Sequence, residues 1–149
     1  MVSGSCFCGA IRIELTGEPL KAALCHCADC RKITGSLFTY SFVVLRSQLQ
    51  ISGTGVPKPL SKRADSGNRI VNHFCSDCGS PLYGGKVGED GTPDNGLAIL
   101  RAGIFDDEEF LARWRPSVEV FAKRRLPWVQ GIEGAEQHEC MLPAASVAP

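Results

Sequence analysis

The sequence predicts a mainly β fold with one short helix. Three observations carry this expectation. Short runs alternate apolar with polar residues, Gly- and Pro-rich stretches separate them, and only one segment has the start signals of a helix.

In chain order, "GAIRIELTG" sets Ile11, Ile13 and Leu15 on one face and Arg12 and Glu14 on the other, a half-buried strand ended by Gly17 and Pro19. "LKAAL" leads into a cysteine-rich stretch. "LFTYSFVVL" (37–45) and "LQIS" (49–52) read as strands from their aromatic and β-branched residues. Residues 53–69 read as a loop, "IVNHF" as a strand running into Cys75, and residues 84–96 as a second loop. "LAILRAG" (97–103) reads as a buried strand. "FDDEEFLARW" is the helix: Asp106 is placed to cap it, and Glu109 stands three positions on, as a capping box requires. "SVEVFAK" (117–123) is a last alternating strand. The pattern predicts one domain over 1–131 and a flexible tail over 132–149, which has no period.

Composition excludes several classes. Hydrophobic residues make up 44% and charged residues 21%, ordinary for a soluble globular chain. Sixteen basic side chains balance sixteen acidic ones, so no global field favours nucleic acid or an anionic membrane. The basic run "KRR" at 123–125 is short and reads as a solvated strand end. No apolar run has the length of a membrane span, and "MVSGSCFCGA" lacks the basic and apolar regions of a secretory signal. The expected compartment is the cytoplasm.

Seven of the eight cysteines fall into three groups: Cys6 and Cys8, then Cys25, Cys27 and Cys30, then Cys75 and Cys78. Cysteines one or two residues apart bridge poorly to each other but chelate metal well. In an extended segment Cys6 and Cys8 point the same way with Cα atoms about 6.6 Å apart. Two sulfurs on one zinc lie about 3.8 Å apart. A bend or a glycine turn closes that gap, and Gly4 and Gly9 flank the pair. Cys75 and Cys78 form a knuckle followed by Gly79. Together the two pairs make a closed, four-cysteine structural zinc site.

Cys25, Cys27 and Cys30 then hold a second ion with no fourth cysteine beside them. His26 is the nearest candidate, but in an extended backbone its side chain leaves opposite to Cys25 and Cys27. Its alternatives are a role beside the ligands, a role facing substrate, or simple packing. His138 and Cys140 would have to fold back from the tail. Three thiolates with an open position is the favoured reading. Such a site lowers the pKa of what binds there and suits an incoming thiolate.

"GSCFCGAI", "CHCADCRKITGSLFTYSFV", "FCSDCGSPLY", "ILRAGIFDD" and "VEVFAKRRLPWV" occur in this order between Gly4 and Trp128. In these motifs the chain resembles the glutathione-dependent formaldehyde-activating enzyme family, also called the centromere protein V/GFA domain. The resemblance implies an Mss4-like zinc-binding β-sheet fold, with a structural zinc on Cys6, Cys8, Cys75 and Cys78. It implies a catalytic zinc on Cys25, Cys27 and Cys30. The activity it implies is condensation of glutathione with formaldehyde to S-hydroxymethylglutathione, classed with carbon–sulfur lyases.

The expected partners are therefore a small thiol such as glutathione and a small aldehyde. Arg31, Lys32, Arg63, Arg69 and Arg101 are candidates to bind the carboxylates of such a thiol. Trp128, Phe38 and Tyr40 are candidates to wall its pocket. Two other readings stay open: zinc-dependent hydration or hydrolysis of another small molecule, and a non-catalytic zinc-binding module.

Overall fold

Two antiparallel-rich sheets pack face to face in the computed structural model, which describes residues 1–93 and 96–142. The smaller sheet has the order β1-β2-β5: β1 (Val2–Ser5), β2 (Ile11–Leu15) and β5 (Leu49–Gly53). The larger has the order β11-β10-β3-β4-β9-β8-β7-β6. Its strands are β3 (Lys21–Cys25), β4 (Thr39–Leu45), β6 (Pro57–Arg63), β7 (Arg69–Cys75), β8 (Pro81–Lys86), β9 (Leu97–Arg101), β10 (Val118–Val120) and β11 (Glu136–Gln137). The mainly β expectation holds, and among the described residues no helix is long and apolar enough to cross a membrane.

The core forms where the two sheets meet. Ile11, Ile13 and Leu15 of β2 are fully buried against Phe42 and Val44 of β4, Leu82 of β8 and Leu100 of β9. Each such side chain contributes about 2 kcal/mol on leaving water. Phe42 is the hub, touching the rings of Tyr40, Phe105, Phe110 and Trp114 at centroid distances of 5.2 to 6.4 Å. Gly4 of β1 packs against the turn that follows β9, where an added Cβ would lie 2.2 Å from the Ile104 carbonyl oxygen.

Among the described residues there are two α-helices rather than one. The expected helix, α2 (Glu108–Arg113), is capped one residue later than the pattern suggested: the Asp107 carboxylate accepts from the Phe110 amide at 2.8 Å. The other, α1 (Ala28–Thr34), lies within the central cysteine group. Cys27 caps it through its sulfur, and Gly35 ends it at φ 65°. A thiol at the N-cap is easily overlooked because Ser, Thr, Asp and Asn hold that position in most helices.

The segment expected as a loop over 53–69 contains β6. Its two prolines and three cations are loop signals in a sequence, but they are also what an edge strand carries, and β6 pairs only with β7. The expected loop 84–96 begins inside β8, and its residues 94 and 95 lie outside the described residues. The strand expected over 117–123 shortens to β10, because Phe121 turns left-handed at φ 55°. Residues 132–142, assigned to the tail, run along β10. The amides of Phe121 and Ala122 donate to the carbonyls of Cys140 and His138, and the His138 amide donates to Glu119. Residues 143–149 lie outside the described residues.

Candidate metal centre

Two turns of like construction make the four-cysteine cluster. In each, a glycine follows the second cysteine at φ 76° and its amide donates to the carbonyl of the first: Gly9 to Cys6 and Gly79 to Cys75, both at 2.9 Å. The left-handed glycine is what folds each pair of sulfurs to one side. The Cys6 and Cys8 sulfurs are 3.5 Å apart, and Cys8 lies 3.8 Å from Cys75. The four sulfurs all lie within 4.8 Å of one another. These separations match the edge of a tetrahedral zinc–sulfur site, so the donor set fits that ion. The Ile11 amide donates to the Cys6 sulfur, and the Ser80 hydroxyl, with its backbone amide, pulls the Cys78 thiol down to about 6. Topology brings the pairs together: β1 and β2 deliver the first, and the end of β7 delivers the second.

The second cluster sits at one end of the larger sheet. Cys25 ends β3, Cys27 caps α1, and Cys30 lies in the first turn of α1. Their sulfurs also fall within 4.8 Å of one another. The neighbouring Cys25 and Cys27 thiols push Cys30 down to about 3, helped by the Arg101 charge, while Cys27, Cys30 and burial push Cys25 up. Crowded thiols can lose their protons together only beside a cation, which is the chemistry of a soft divalent metal site. All eight cysteines are free.

His26 does not join this cluster. Its side chain turns away from Cys25 and Cys27, as strand alternation requires, and its Nε2 lies 2.7 Å from Glu119 Oε2. His26 is 1% exposed and Glu119 is 0% exposed. Glu119 also accepts from Arg125 at 3.0 Å, from the Gln137 amide at 3.0 Å and from the backbone amide of Ile132. Burial works to raise this carboxyl, but these donors overcome it and hold it down at about 2. Sequence reasoning missed Glu119, because alternation along "SVEVFAK" put it on the wet face. In the fold β10 is flanked on both sides, by β3 and β11, and all three of its residues are buried. His138 and Cys140 take part in neither cluster.

Register places further groups beside the second cluster. Cys25 pairs with Thr39 across β3 and β4, and Ser41, two residues along β4, pairs with Arg101 across β4 and β9. Arg101 donates to Ser41 Oγ at 3.1 Å and to Asn72 Oδ1 at 2.7 Å. A cavity of about 290 Å³ lies between α1 and β6–β8, lined among others by Asp29, Lys32, Lys62, Asn72, His73 and Arg101. A more open hollow of about 400 Å³ lies on the far side of α1, lined in part by Arg31 and Lys32.

The other candidates line neither hollow. Arg63 bonds Gly67 and Glu89. Arg69 has a buried Nε that no group among the described residues accepts. The run 123–125 lies in a 3-10 turn after β10 rather than at a strand end; Lys123 and Arg124 are exposed as expected, but Arg124 pairs with Asp65, Lys123 reaches the Cys140 sulfur at 3.2 Å, and the half-buried Arg125 pairs with Glu119. Trp128 is 71% exposed and lines neither hollow. Tyr40 spends its hydroxyl on the Trp114 and Leu111 carbonyls, and Phe38 packs edge-on against His26.

Comparison with known proteins gives one family. A family model described as "Glutathione-dependent formaldehyde-activating enzyme" matches residues 1–124, a span that holds both cysteine clusters. Three similar fungal proteins carry the name "Putative glutathione-dependent formaldehyde-activating enzyme". The one from Podospora anserina is 29% identical over 105 residues, 69% of this chain and 47% of the relative. The one from Emericella nidulans is 34% identical over 83 residues, 53% of this chain and 40% of the relative. The one from Penicillium rubens is 29% identical over 105 residues, 69% of this chain and 52% of the relative. The chain spans about half the length of these curated relatives. By the match over residues 1–124, the chain belongs to the glutathione-dependent formaldehyde-activating enzyme family.

Proposed function

We propose that this chain is a zinc-dependent enzyme of the carbon–sulfur lyase type that joins a small thiol, such as glutathione, to formaldehyde or a related small aldehyde. The observation that carries the reading is the three-cysteine cluster: the sulfurs of Cys25, Cys27 and Cys30 converge while the adjacent His26 faces Glu119. Family membership and the names of the fungal relatives point to the same substrates.

Cys6, Cys8, Cys75 and Cys78 would hold one zinc, as a tie between the N-terminal turn and β7. Cys25, Cys27 and Cys30 would hold the second. Zinc bound by three thiolates supplies a Lewis acid with room for one more soft ligand. The chain's own groups prepare that place. Cys27 is fixed by its bond from the Cys30 amide at 3.3 Å, the Arg101 charge favours the Cys30 thiolate, and Glu119 holds His26 clear of the sulfurs. The reaction itself is an addition: a sulfur–carbon bond forms, the carbonyl π bond opens, and the proton lost by sulfur ends on oxygen. No electron is gained or lost. Free thiols throughout suit a reducing compartment, and the cytoplasm is the setting this reading assigns.

The test is exchange of ¹³C-formaldehyde with its glutathione adduct, followed by NMR at equilibrium. Exchange faster than the uncatalysed rate, falling to that rate in Cys27→Ser, is the expected result. Exchange at the uncatalysed rate with the native, zinc-replete protein would overturn the proposal.

A further inference from the structure

Arg101 is a buried cation with neutral partners. The residue is 7% exposed, its two hydrogen bonds go to a serine hydroxyl and an asparagine carbonyl, and no carboxylate pairs with it among the described residues. A buried guanidinium is costly unless a negative charge accompanies it. The Coulombic partners that Arg101 does have are the sulfurs of Cys25, Cys27 and Cys30. Three thiolates on a divalent ion carry one net negative charge.

The cavity holds more positive charge than this cancels. Lys32, Lys62 and Arg101 line it against the single carboxylate of Asp29. Asp29 is occupied: Lys62 Nζ donates to it at 2.5 Å and the Asp65 amide at 3.0 Å. Asp29 therefore cancels Lys62, a metal-bound cluster would cancel one further charge, and one cation remains over at the mouth of the cavity, where Lys32 is exposed. His73 also lines the cavity, but burial and the nearby Arg46 charge lower its pKa, so it does not supply a counter-charge of either sign near neutrality.

We infer that the cavity between α1 and β6–β8 is an anion site that receives one carboxylate of the substrate thiol, read by Arg101 with Lys32 beside it. This inference rests on the proposed thiol chemistry for the identity of the ligand, though not for the existence of the site. Arg101 has five N–H donors and uses two within the protein, which leaves a fork for a carboxylate. A cavity of about 290 Å³ is small for a ligand pocket, and it suits a short acidic arm rather than a whole tripeptide. The site selects thiols that carry a carboxylate over neutral thiols of the same length.

Asn72→Asp is the discriminating variant. It keeps the size and position of a side chain already bonded to Arg101, and it supplies the missing carboxylate from within. Three probes are titrated into the zinc-replete protein: 3-mercaptopropionate, 2-mercaptoethanol and propionate. The Arg101 side-chain N–H resonance serves as the readout. Native protein should bind 3-mercaptopropionate about tenfold more tightly than 2-mercaptoethanol, and propionate alone should move the Arg101 signal. Asn72→Asp should abolish both effects. Lys32→Ala, on the exposed face of α1, should weaken the acidic probes about threefold with the fold intact.

An Arg101 signal unmoved by propionate, or an Asn72→Asp protein that keeps its preference for the acidic thiol, overturns the inference. Propionate binding in a protein that does not accelerate adduct exchange leaves the anion site standing and removes the thiol reaction. Accelerated exchange with no preference between the acidic and neutral thiols does the reverse.

Discussion

The Nε2 of His26 lies 2.7 Å from Glu119 Oε2, inside the protein, between two cysteines of the three-cysteine cluster and the C-terminal segment. His26 is thereby turned from a candidate ligand into a brace. Glu119 also receives Arg125, Gln137 and the Ile132 amide, so one carboxylate joins β3, β10 and residues 132–137.

Glu119→Gln should lower stability by about 2–3 kcal/mol, because a carboxamide cannot accept from all four donors and must itself donate. Denaturant melts of the two proteins measure the difference. An unchanged midpoint would mean that the carboxylate is not the organising charge.

The same residue sets an acid limit. Its folded pKa of about 2 is below the ordinary 4.5. Between those values the unfolded chain binds the extra proton, so stability rises with pH there. The contribution is complete above about pH 4.5 and is lost as pH falls toward 2. Stability against pH should therefore drop more steeply below 4.5 in the native protein than in Glu119→Gln.

Gly84 faces Asn72 across β8 and β7, and an added Cβ would lie 2.6 Å from Asn72 Oδ1 and 2.7 Å from the Val71 carbonyl oxygen. Gly84→Ala should cost about 1–3 kcal/mol and displace the side chain that holds Arg101. A melt gives the first effect. The Arg101 side-chain resonance, broadened or shifted, gives the second.

The two clusters should answer differently to loss of a ligand. Zinc analysis should find two ions per chain in the native protein and one in Cys27→Ser, with circular dichroism unchanged in the variant. Cys75→Ser should lose its β signal, because Cys75 is fully buried and ties the N-terminal turn to β7. A folded Cys75→Ser protein with two zincs would refute the division of roles.

Tyr40→Phe should lower stability by about 1 kcal/mol. The hydroxyl donates to the Trp114 carbonyl at 2.6 Å and lies 3.2 Å from that of Leu111, so its loss leaves the end of α2 without a tether. Thermal melts at fixed zinc check this.

Much of the site was legible in the chain, because metal ligands act through spacing. Cysteines at i and i+2, or i and i+3, with a glycine after the pair, read as chelating turns wherever the fold puts them. The turning away of His26 was legible for the same local reason, strand alternation. Helix α1 was hidden because a cysteine holds the capping position. Strand β6 was hidden because prolines and lysines mark loops and edge strands alike.

By itself the sequence determined the β-rich class, the alternation of β2, the cysteine groups and how they divide, since each depends on residues within a few positions of one another. The tertiary structure alone decided where charges are buried. Glu119 is dry because β10 lies between β3 and β11, and Arg101 borders the second cluster because β4 and β9 pair in one register. Burial and pairing depend on which distant strands become neighbours, and no local pattern around Glu119 or Arg101 records that.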